Sequence, residues 1–221
     1  MDDDMSMAMP QMMAWSWVDW WSMLLMWTAM MIAMMVPSAT PTILIYAKVN
    51  QNRRQNSLAY VSTSVFLFGY LLAWTAFSMV ATIGNWLIHT QGFLTGMMGA
   101  STSNILGAAL LIAAGIYQWT PFKYACLNHC RTPLGFIMTE WKEGKLGAIT
   151  MGVKHGSYCV ACCWLLMALL FVLGVMNLLW ISLLAGFVLL EKLLPKGLWV
   201  SKISGLGFVA WGVILILVNY T

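Results

Sequence analysis

Residues 64–83 read SVFLFGYLLAWTAFSMVATI and lie inside a run without Asp, Glu, Lys or Arg that extends from residue 55 to residue 122. A helix needs about 20 apolar residues to cross a bilayer, so this run can hold two such helices and their connection. Charged residues make up 8% of the chain, whereas soluble domains contain roughly 25%. The composition therefore predicts an all-α integral membrane protein.

The uncharged runs predict a bundle of six transmembrane helices. We expect these helices near residues 18–46, 58–83, 102–119, 156–175, 177–193 and 202–219. Two prolines, Pro37 and Pro41, fall inside the first of them. Because proline lacks an amide hydrogen and crowds the preceding turn, we expect these residues to kink or end that helix.

The basic residues predict the orientation of the bundle. All 11 of them fall in every other connection between the predicted helices. Lys48, Arg53 and Arg54 follow the first helix; Lys123, Arg131, Lys142, Lys145 and Lys154 lie between the third and fourth; Lys192, Lys196 and Lys202 lie between the fifth and sixth. Cytoplasmic loops are enriched in Lys and Arg. We therefore expect a multi-pass membrane protein with both termini on the outer side.

The chain is expected to form one membrane domain. We divide it into a Met-rich outer tail at 1–17 and a six-helix membrane domain at 18–221, with a polar cytoplasmic-side loop at 120–155. Part of this loop, around 134–150, has the composition of an amphipathic surface helix. No basic patch interleaved with aromatic residues is visible. We therefore expect the lipid bilayer as a partner and no nucleic acid.

The polar loop carries the first of two cysteine clusters. Cys126, His129 and Cys130 are spaced i, i+3 and i+4, so a single helical turn would bring their side chains together. Thiolate and imidazole are ligands that soft and borderline metals prefer. This spacing favours one half of a metal site on the cytoplasmic side.

The second cluster follows at the start of the next span. His155, Cys159 and Cys162 fall on one face of a helix, and Cys163 lies one turn from Cys159. We expect the glycines at 152 and 156 to let the loop approach closely, so that both clusters complete one site.

Three interpretations of the five cysteines are open. In a reducing compartment clustered cysteines more often bind metal or do redox chemistry than form structural disulfides. A metal site is one interpretation, and thiol–disulfide cycling is the second. In the third, cysteine is a small buried hydrophobe that packs between helices.

A second, outer metal site is predicted from methionines and one histidine. Its candidate ligands are Met5, Met7, Met9, Met12, Met13 and His89. Thioether sulfur is a soft ligand that suits Cu(I). The tail and the methionine stripe of the first helix are locally similar to copper-uptake proteins, although packing is the favoured interpretation of the stripe.

Two pairs of adjacent polar residues lie near the ends of predicted spans. Glu191 and Lys192 are expected to form an interfacial ion pair, with the lysine stem reaching toward water. Tyr117 and Gln118 either support the cysteine site or cap the end of a helix. No catalytic triad, phosphate-binding glycine loop or pair of core carboxylates is present, so an enzyme is the less favoured class.

The chain resembles a bacterial family of predicted metal-binding integral membrane proteins of unknown function. The resemblance extends over residues 30–215 and is carried by MMVPS at 34–38, GYLLAW at 69–74, AGIYQ at 114–118, PFKYACLNHCR at 121–131, HGSYCVACCWLLM at 155–167, GVMN at 174–177 and EK at 191–192. It implies metal binding, with the five cysteines as the ligands, and it implies no particular reaction.

The sequence and the resemblance together predict a multi-pass protein of a bacterial inner membrane, with periplasmic termini, that handles or delivers a transition metal. Copper is favoured, with zinc or iron as alternatives, and a metallochaperone is a candidate partner. A second hypothesis is an accessory subunit of a larger membrane complex, and a third is a membrane thiol–disulfide redox protein.

Overall fold

The computed structural model describes residues 15–55, 60–90, 104–174, 177–194 and 197–220. Throughout these ranges the regular structure is helical, with no strand: α1 Trp17–Gln55, α2 Thr63–Thr90, α3 Asn104–Tyr117, α4 Pro121–Arg131, α5 Pro133–Thr139, α6 Gly144–Ala168, α7 Leu170–Leu173, α8 Leu178–Leu193 and α9 Gly197–Tyr220. The predicted all-α class is confirmed.

Four helical segments of the described chain are long and apolar enough to cross a membrane. They are Trp17–Gln55, Thr63–Thr90, Gly144–Leu173 and Gly197–Val218. A further crossing would need α3 and α4 to act together, and these are bent by 67°. α8 has 16 residues, fewer than the roughly 20 of a straight span. Each predicted helix has a counterpart, but the six spans and the outer termini stay predictions.

α1 continues through both of its prolines, so the alternative in which they end the helix is wrong. Because proline has no amide hydrogen, the carbonyl groups of Ala33 and Pro37 lose their helical partners at Pro37 and Pro41. Beside them, the Ser38 hydroxyl donates to the Met35 carbonyl oxygen at 2.8 Å. At 39 residues, α1 is about 58 Å long, which exceeds the hydrocarbon core of about 30 Å.

The segment 120–155, predicted to be a loop, is largely helical. Thr120 caps α4, since its side-chain oxygen accepts a hydrogen bond from the Lys123 amide at 3.3 Å. Pro121 follows in the first turn, where an amide hydrogen has no helical partner anyway. α5 begins with a proline in the same way. α6 already includes residues 144–155 and so begins well before the predicted residue 156.

The amphipathic helix predicted around 134–150 is interrupted between α5 and α6. Two ion pairs anchor the connection, Arg53 with Glu143 at 2.5 Å and Lys154 with Glu140 at 2.6 Å. The hydrogen bond from Lys154 lowers the pKa of the Glu140 carboxyl below its usual value. Lys154, which directly precedes the predicted span in the sequence, is thus paired with a carboxylate that lies outside α6.

Glycine brings the backbones of α2 and α6 into close contact. A Cβ atom added at Gly152 would overlap the Phe66 carbonyl oxygen, and one at Gly156 would lie 3.0 Å from the Tyr70 carbonyl oxygen. Gly69 faces this contact from α2, where an added Cβ would lie 3.1 Å from the Gly152 Cα. Small residues allow such approach where lipid gives no hydrophobic driving force. Gly152 and Gly156 therefore allow α2 to approach α6 closely. The expectation that they allow the polar loop at 120–155 to approach is wrong.

A second close contact joins α3 to α9. An added Cβ at Gly115 would lie 2.6 Å from the Gly205 carbonyl oxygen, and one at Gly212 would lie 2.9 Å from the Ala108 carbonyl oxygen. Gly207 faces open space instead. Both contacts join helix pairs through glycine, and α4 packs against the α2–α6 pair through α6.

The methionine stripe of α1 belongs to the protein core. Met23, Met31, Met34 and Met35 are buried, and Met26 and Met30 pack against them. The Met23 sulfur accepts a hydrogen bond from the Asn85 amide at 3.4 Å. These positions support the packing interpretation of the stripe.

Aromatic residues join the start of α1 to the end of α2. The Trp15 ring centroid lies 5.4 Å from that of Trp20 and 6.0 Å from that of His89. Trp20 lies 6.0 Å from Trp86. His89, the predicted outer metal ligand, is therefore part of an aromatic cluster at this end of the bundle.

Replacing Gly152 with alanine is expected to destabilise the protein by about 1–3 kcal/mol, because the new methyl group meets backbone that cannot rotate away. Thermal unfolding of the purified protein in detergent, followed by tryptophan fluorescence, measures this. Gly207→Ala is the matched control, since nothing lies within 4 Å of its added methyl group. Equal unfolding temperatures for the two variants would contradict the close α2–α6 contact.

Candidate metal site between α4 and α6

α4 directs its cysteines toward the protein interior. Lys123, Cys126 and Leu127 are buried, and Cys130 is half-buried. Positions three, four and seven residues apart share one face of a helix. His129 lies on the exposed side of the same helix. The helical turn predicted for this cluster therefore exists, but it separates the histidine from the cysteines.

α6 carries the second cluster on one buried face, as its spacing predicted. His155, Cys159, Cys162 and Cys163 are all buried. The Cys162 and Cys163 thiols donate to the Cys159 carbonyl oxygen at 3.1 and 2.9 Å. These bonds orient two sulfur atoms along the helix, beside the third.

The two cysteine clusters meet between α4 and α6. Cys126, Cys159, Cys162 and Cys163 belong to one buried cluster, and Cys130 packs against it. The Cys130 side chain interacts with those of Cys159 and Cys162. All five thiols are free. Sulfur atoms from two separate parts of the sequence are thus brought together.

Polar groups from two other helices contact the Cys159 sulfur. The Lys192 ammonium nitrogen on α8 lies 2.9 Å from it, and 3.0 Å from the Ser38 hydroxyl oxygen. The Tyr70 hydroxyl oxygen on α2 lies 3.2 Å from the same sulfur and donates to the Met35 carbonyl oxygen at 3.1 Å. Cys159 is therefore the most strongly connected thiol of the cluster.

The two predicted histidine ligands differ in position. The His129 Nδ1 lies 2.8 Å from the Ala125 carbonyl oxygen, and its ring stacks on Tyr158 with centroids 4.5 Å apart. His155 is buried near Cys159, and its Nδ1 has no hydrogen-bond partner. An unpartnered buried nitrogen is unfavourable, so His155 fits a ligand role better than His129 does.

A buried ion pair joins α4 to α8 next to the cluster. The Lys123 nitrogen lies 2.7 Å from a Glu191 carboxylate oxygen, and both side chains are almost fully buried. Gln118 accepts a hydrogen bond from Lys123, and Ser201 donates one to Glu191. The predicted Glu191–Lys192 pair is wrong, because adjacent helical residues point in different directions.

Tyr117 connects α3 to α6 beside the cysteines. Its hydroxyl donates to the Ala161 carbonyl oxygen, and its ring meets Trp164 edge-on at 6.0 Å between centroids. Of the two interpretations left open, support of the cysteine helix is the one that these contacts favour.

The outer candidate ligands are largely outside the described residues. This applies to Met5, Met7, Met9, Met12 and Met13. His89 stands in the last turn of α2, among the aromatic residues described above. The outer metal site therefore stays a prediction.

Within the described ranges, no group of three or more His, Cys, Asp or Glu side chains is already arranged to hold a metal ion. Two of the thiols donate instead to the carbonyl oxygen of Cys159, and they would have to leave it to become ligands. The predicted ligand set of Cys126, His129, Cys130, His155, Cys159, Cys162 and Cys163 therefore stays a prediction.

The sequence profile of the PpoB2 copper chaperones matches residues 24–215. The chain belongs to this family. The match includes both cysteine clusters together with Lys123, Glu191 and Lys192. Comparisons with curated proteins and with solved structures found no match. Membership confirms the metal-related part of the resemblance, and the family name supports copper over zinc and iron.

The interior position of two lysines is not evident from the sequence. Lys123 and Lys192 each border an uncharged run, so the sequence places both at the cytoplasmic boundary. The spacing of Lys123 from Cys126 and Cys130 places it on the cysteine face of α4, and this signal could have identified it. No comparable local signal points Lys192 toward Cys159.

Replacing Glu191 with glutamine should destabilise the protein by about 3–5 kcal/mol, because Lys123 would keep a buried charge without its partner. Denaturant unfolding in detergent gives this free energy. The double variant Lys123→Met/Glu191→Leu should recover most of the loss, since it removes both charges. Glu143→Gln is the control, because that carboxylate is 67% exposed and its pair should contribute less than about 1 kcal/mol. A loss no larger than the control's would contradict the buried pair.

Proposed function

We propose that this chain is an integral membrane copper chaperone that carries Cu(I) on the thiolates of Cys130 and Cys159, next to Cys162 and Cys163. Family membership supports copper as the cargo. The observation that carries the location is that cysteines of α4 and α6 pack in one interior cluster. His155, with its unpartnered ring nitrogen, is an additional donor to the same ion.

The donor chemistry favours Cu(I) over the other candidate metals. Thiolate is a soft ligand that suits Cu(I), whereas structural zinc takes four tetrahedral ligands. Each coordinating thiol gives up its proton, so loading releases protons. Cys162 and Cys163 keep their hydrogen bonds to the Cys159 carbonyl oxygen. The Tyr70 hydroxyl can then donate to the Cys159 thiolate.

Transfer of the ion is proposed to take place at α4. Cys130 is the half-buried member of the cluster, and its chain neighbour His129 is exposed. A thiol from a partner can replace Cys130 in the coordination sphere while Cys159 and His155 still hold the ion. The partner would be a soluble metallochaperone or a metal-dependent enzyme in a larger membrane complex. The methionines of the outer tail would acquire copper on the opposite side.

The double variant Cys159→Ser/Cys162→Ser is expected to lose copper, whereas the unaltered protein should hold it stoichiometrically. Elemental analysis of protein loaded with Cu(I) without oxygen and then desalted measures this. His129→Asn serves as the control and should keep its copper, because that ring contacts Ala125 and Tyr158 instead of the sulfurs. Equal, substoichiometric copper in all three proteins would refute the proposal.

The membrane location is proposed from two observations. Several helices have the length and composition of spans, and the basic residues follow one parity of connections. Together they support a bacterial inner membrane with both termini outside. The cysteine cluster would then lie toward the cytoplasmic side.

Fusions to the C-terminus are expected to report the outer side, because positively charged connections are retained in the cytoplasm. Alkaline phosphatase fused after residue 221 should be active, and green fluorescent protein fused there should be dark. Fusions placed after Arg54 are the control and should give the opposite pattern. A fluorescent C-terminal fusion would show that the proposed orientation is wrong.

A further inference from the structure

Lys192 is a buried cation that contacts a cysteine. Its side chain is almost completely inside the bundle. The ammonium nitrogen donates to the Cys159 sulfur at 2.9 Å and to the Ser38 hydroxyl oxygen at 3.0 Å. The hydroxyl is neutral, so of these two acceptors only Cys159, as a thiolate, can balance the charge of the ammonium group.

No carboxylate of the described residues pairs with Lys192. The one next to it in sequence, Glu191, pairs with Lys123 at 2.7 Å. The other described carboxylates also have their own partners, which are Ser16 for Asp19, Lys154 for Glu140 and Arg53 for Glu143. An unpaired charge in an apolar interior is strongly unfavourable. The surroundings of Lys192 therefore favour one additional negative charge at the cysteines.

We infer that Lys192 determines the selectivity of the site for a monovalent ion; this inference rests on the proposed function. Two thiolates with one Cu(I) ion leave a single negative charge, which the Lys192 ammonium neutralises. A divalent ion on the same two thiolates is already neutral, and Lys192 would add an unbalanced positive charge. A third thiolate would be needed, and Cys162 and Cys163 would have to give up their bonds to the Cys159 carbonyl oxygen.

The position of Lys192 suits this role. It contacts Cys159, the sulfur that also lies 3.2 Å from the Tyr70 hydroxyl oxygen and interacts with Cys130. Its charge acts at short range, where screening by salt is weak for buried groups. Lys192 is therefore a specificity-determining residue that need not bind the ion itself.

Affinities for Cu(I) and Zn(II) in variants at this position test the inference. The purified full-length protein in detergent is titrated without oxygen, with a chromogenic Cu(I) chelator and separately with a Zn(II)-binding dye as competitors. Lys192→Met should weaken Cu(I) binding about 10–100-fold, as the loss of one nearby opposite charge predicts. Zn(II) binding should stay the same or become tighter. Lys192→Arg keeps the charge and should retain most of the preference for Cu(I).

Two further variants separate charge from structure. Lys192→Gln removes the charge but retains a hydrogen-bond donor, so it should repeat the effect of Lys192→Met if either variant folds poorly. Lys202→Met removes an exposed lysine and should change neither affinity. A parallel loss of Cu(I) and Zn(II) binding, or no loss of either, would overturn the inference and leave the proposed function intact. Absence of Cu(I) binding by the unaltered protein would overturn both.

Discussion

The buried ion pair between Lys123 and Glu191 fixes the helices around the cysteine cluster. In an apolar interior neither charge can be left without the other, so the pair determines where α4 and α8 stand relative to each other. Lys123 shares the inward face of α4 with Cys130, and Glu191 directly precedes Lys192 on α8. One electrostatic contact therefore sets both the depth of the α4 thiol and the side from which a lysine reaches Cys159.

The α2–α6 contact supplies the rest of this arrangement. Because Gly152 and Gly156 have no side chains, the α2 backbone can pass directly over α6. This proximity brings the Tyr70 hydroxyl to 3.2 Å from the Cys159 sulfur. Polar groups around the sulfurs are thus positioned by small residues at one contact and by opposite charges at the other. Neither the glycine contact nor the ion pair requires water, and the cluster between them is enclosed by helices.

The helical class and the two cysteine faces could be predicted from sequence, because they depend on local periodicity and on the scarcity of charge. Spacing alone placed Cys159 and Cys162 on one face of α6, and the structure has them there. The partners of Glu191 and Lys192 could not be predicted, since they depend on how α8 is rotated against α4 and α6. The start of α6 at Gly144 could not be predicted for a similar reason. Lys154 marks one end of an uncharged run, but it pairs with Glu140, which lies outside the helix.

The uninterrupted passage of α1 through Pro37 and Pro41 has a mechanical consequence. Two hydrogen bonds are missing from the ladder of this helix, so bending it there costs less than bending it elsewhere. The same turn holds the Met35 carbonyl group and the Ser38 hydroxyl group, which contact Tyr70 and Lys192. The most easily bent part of α1 therefore lies against the sulfur cluster, and bending there would move the contacts to Tyr70 and Lys192.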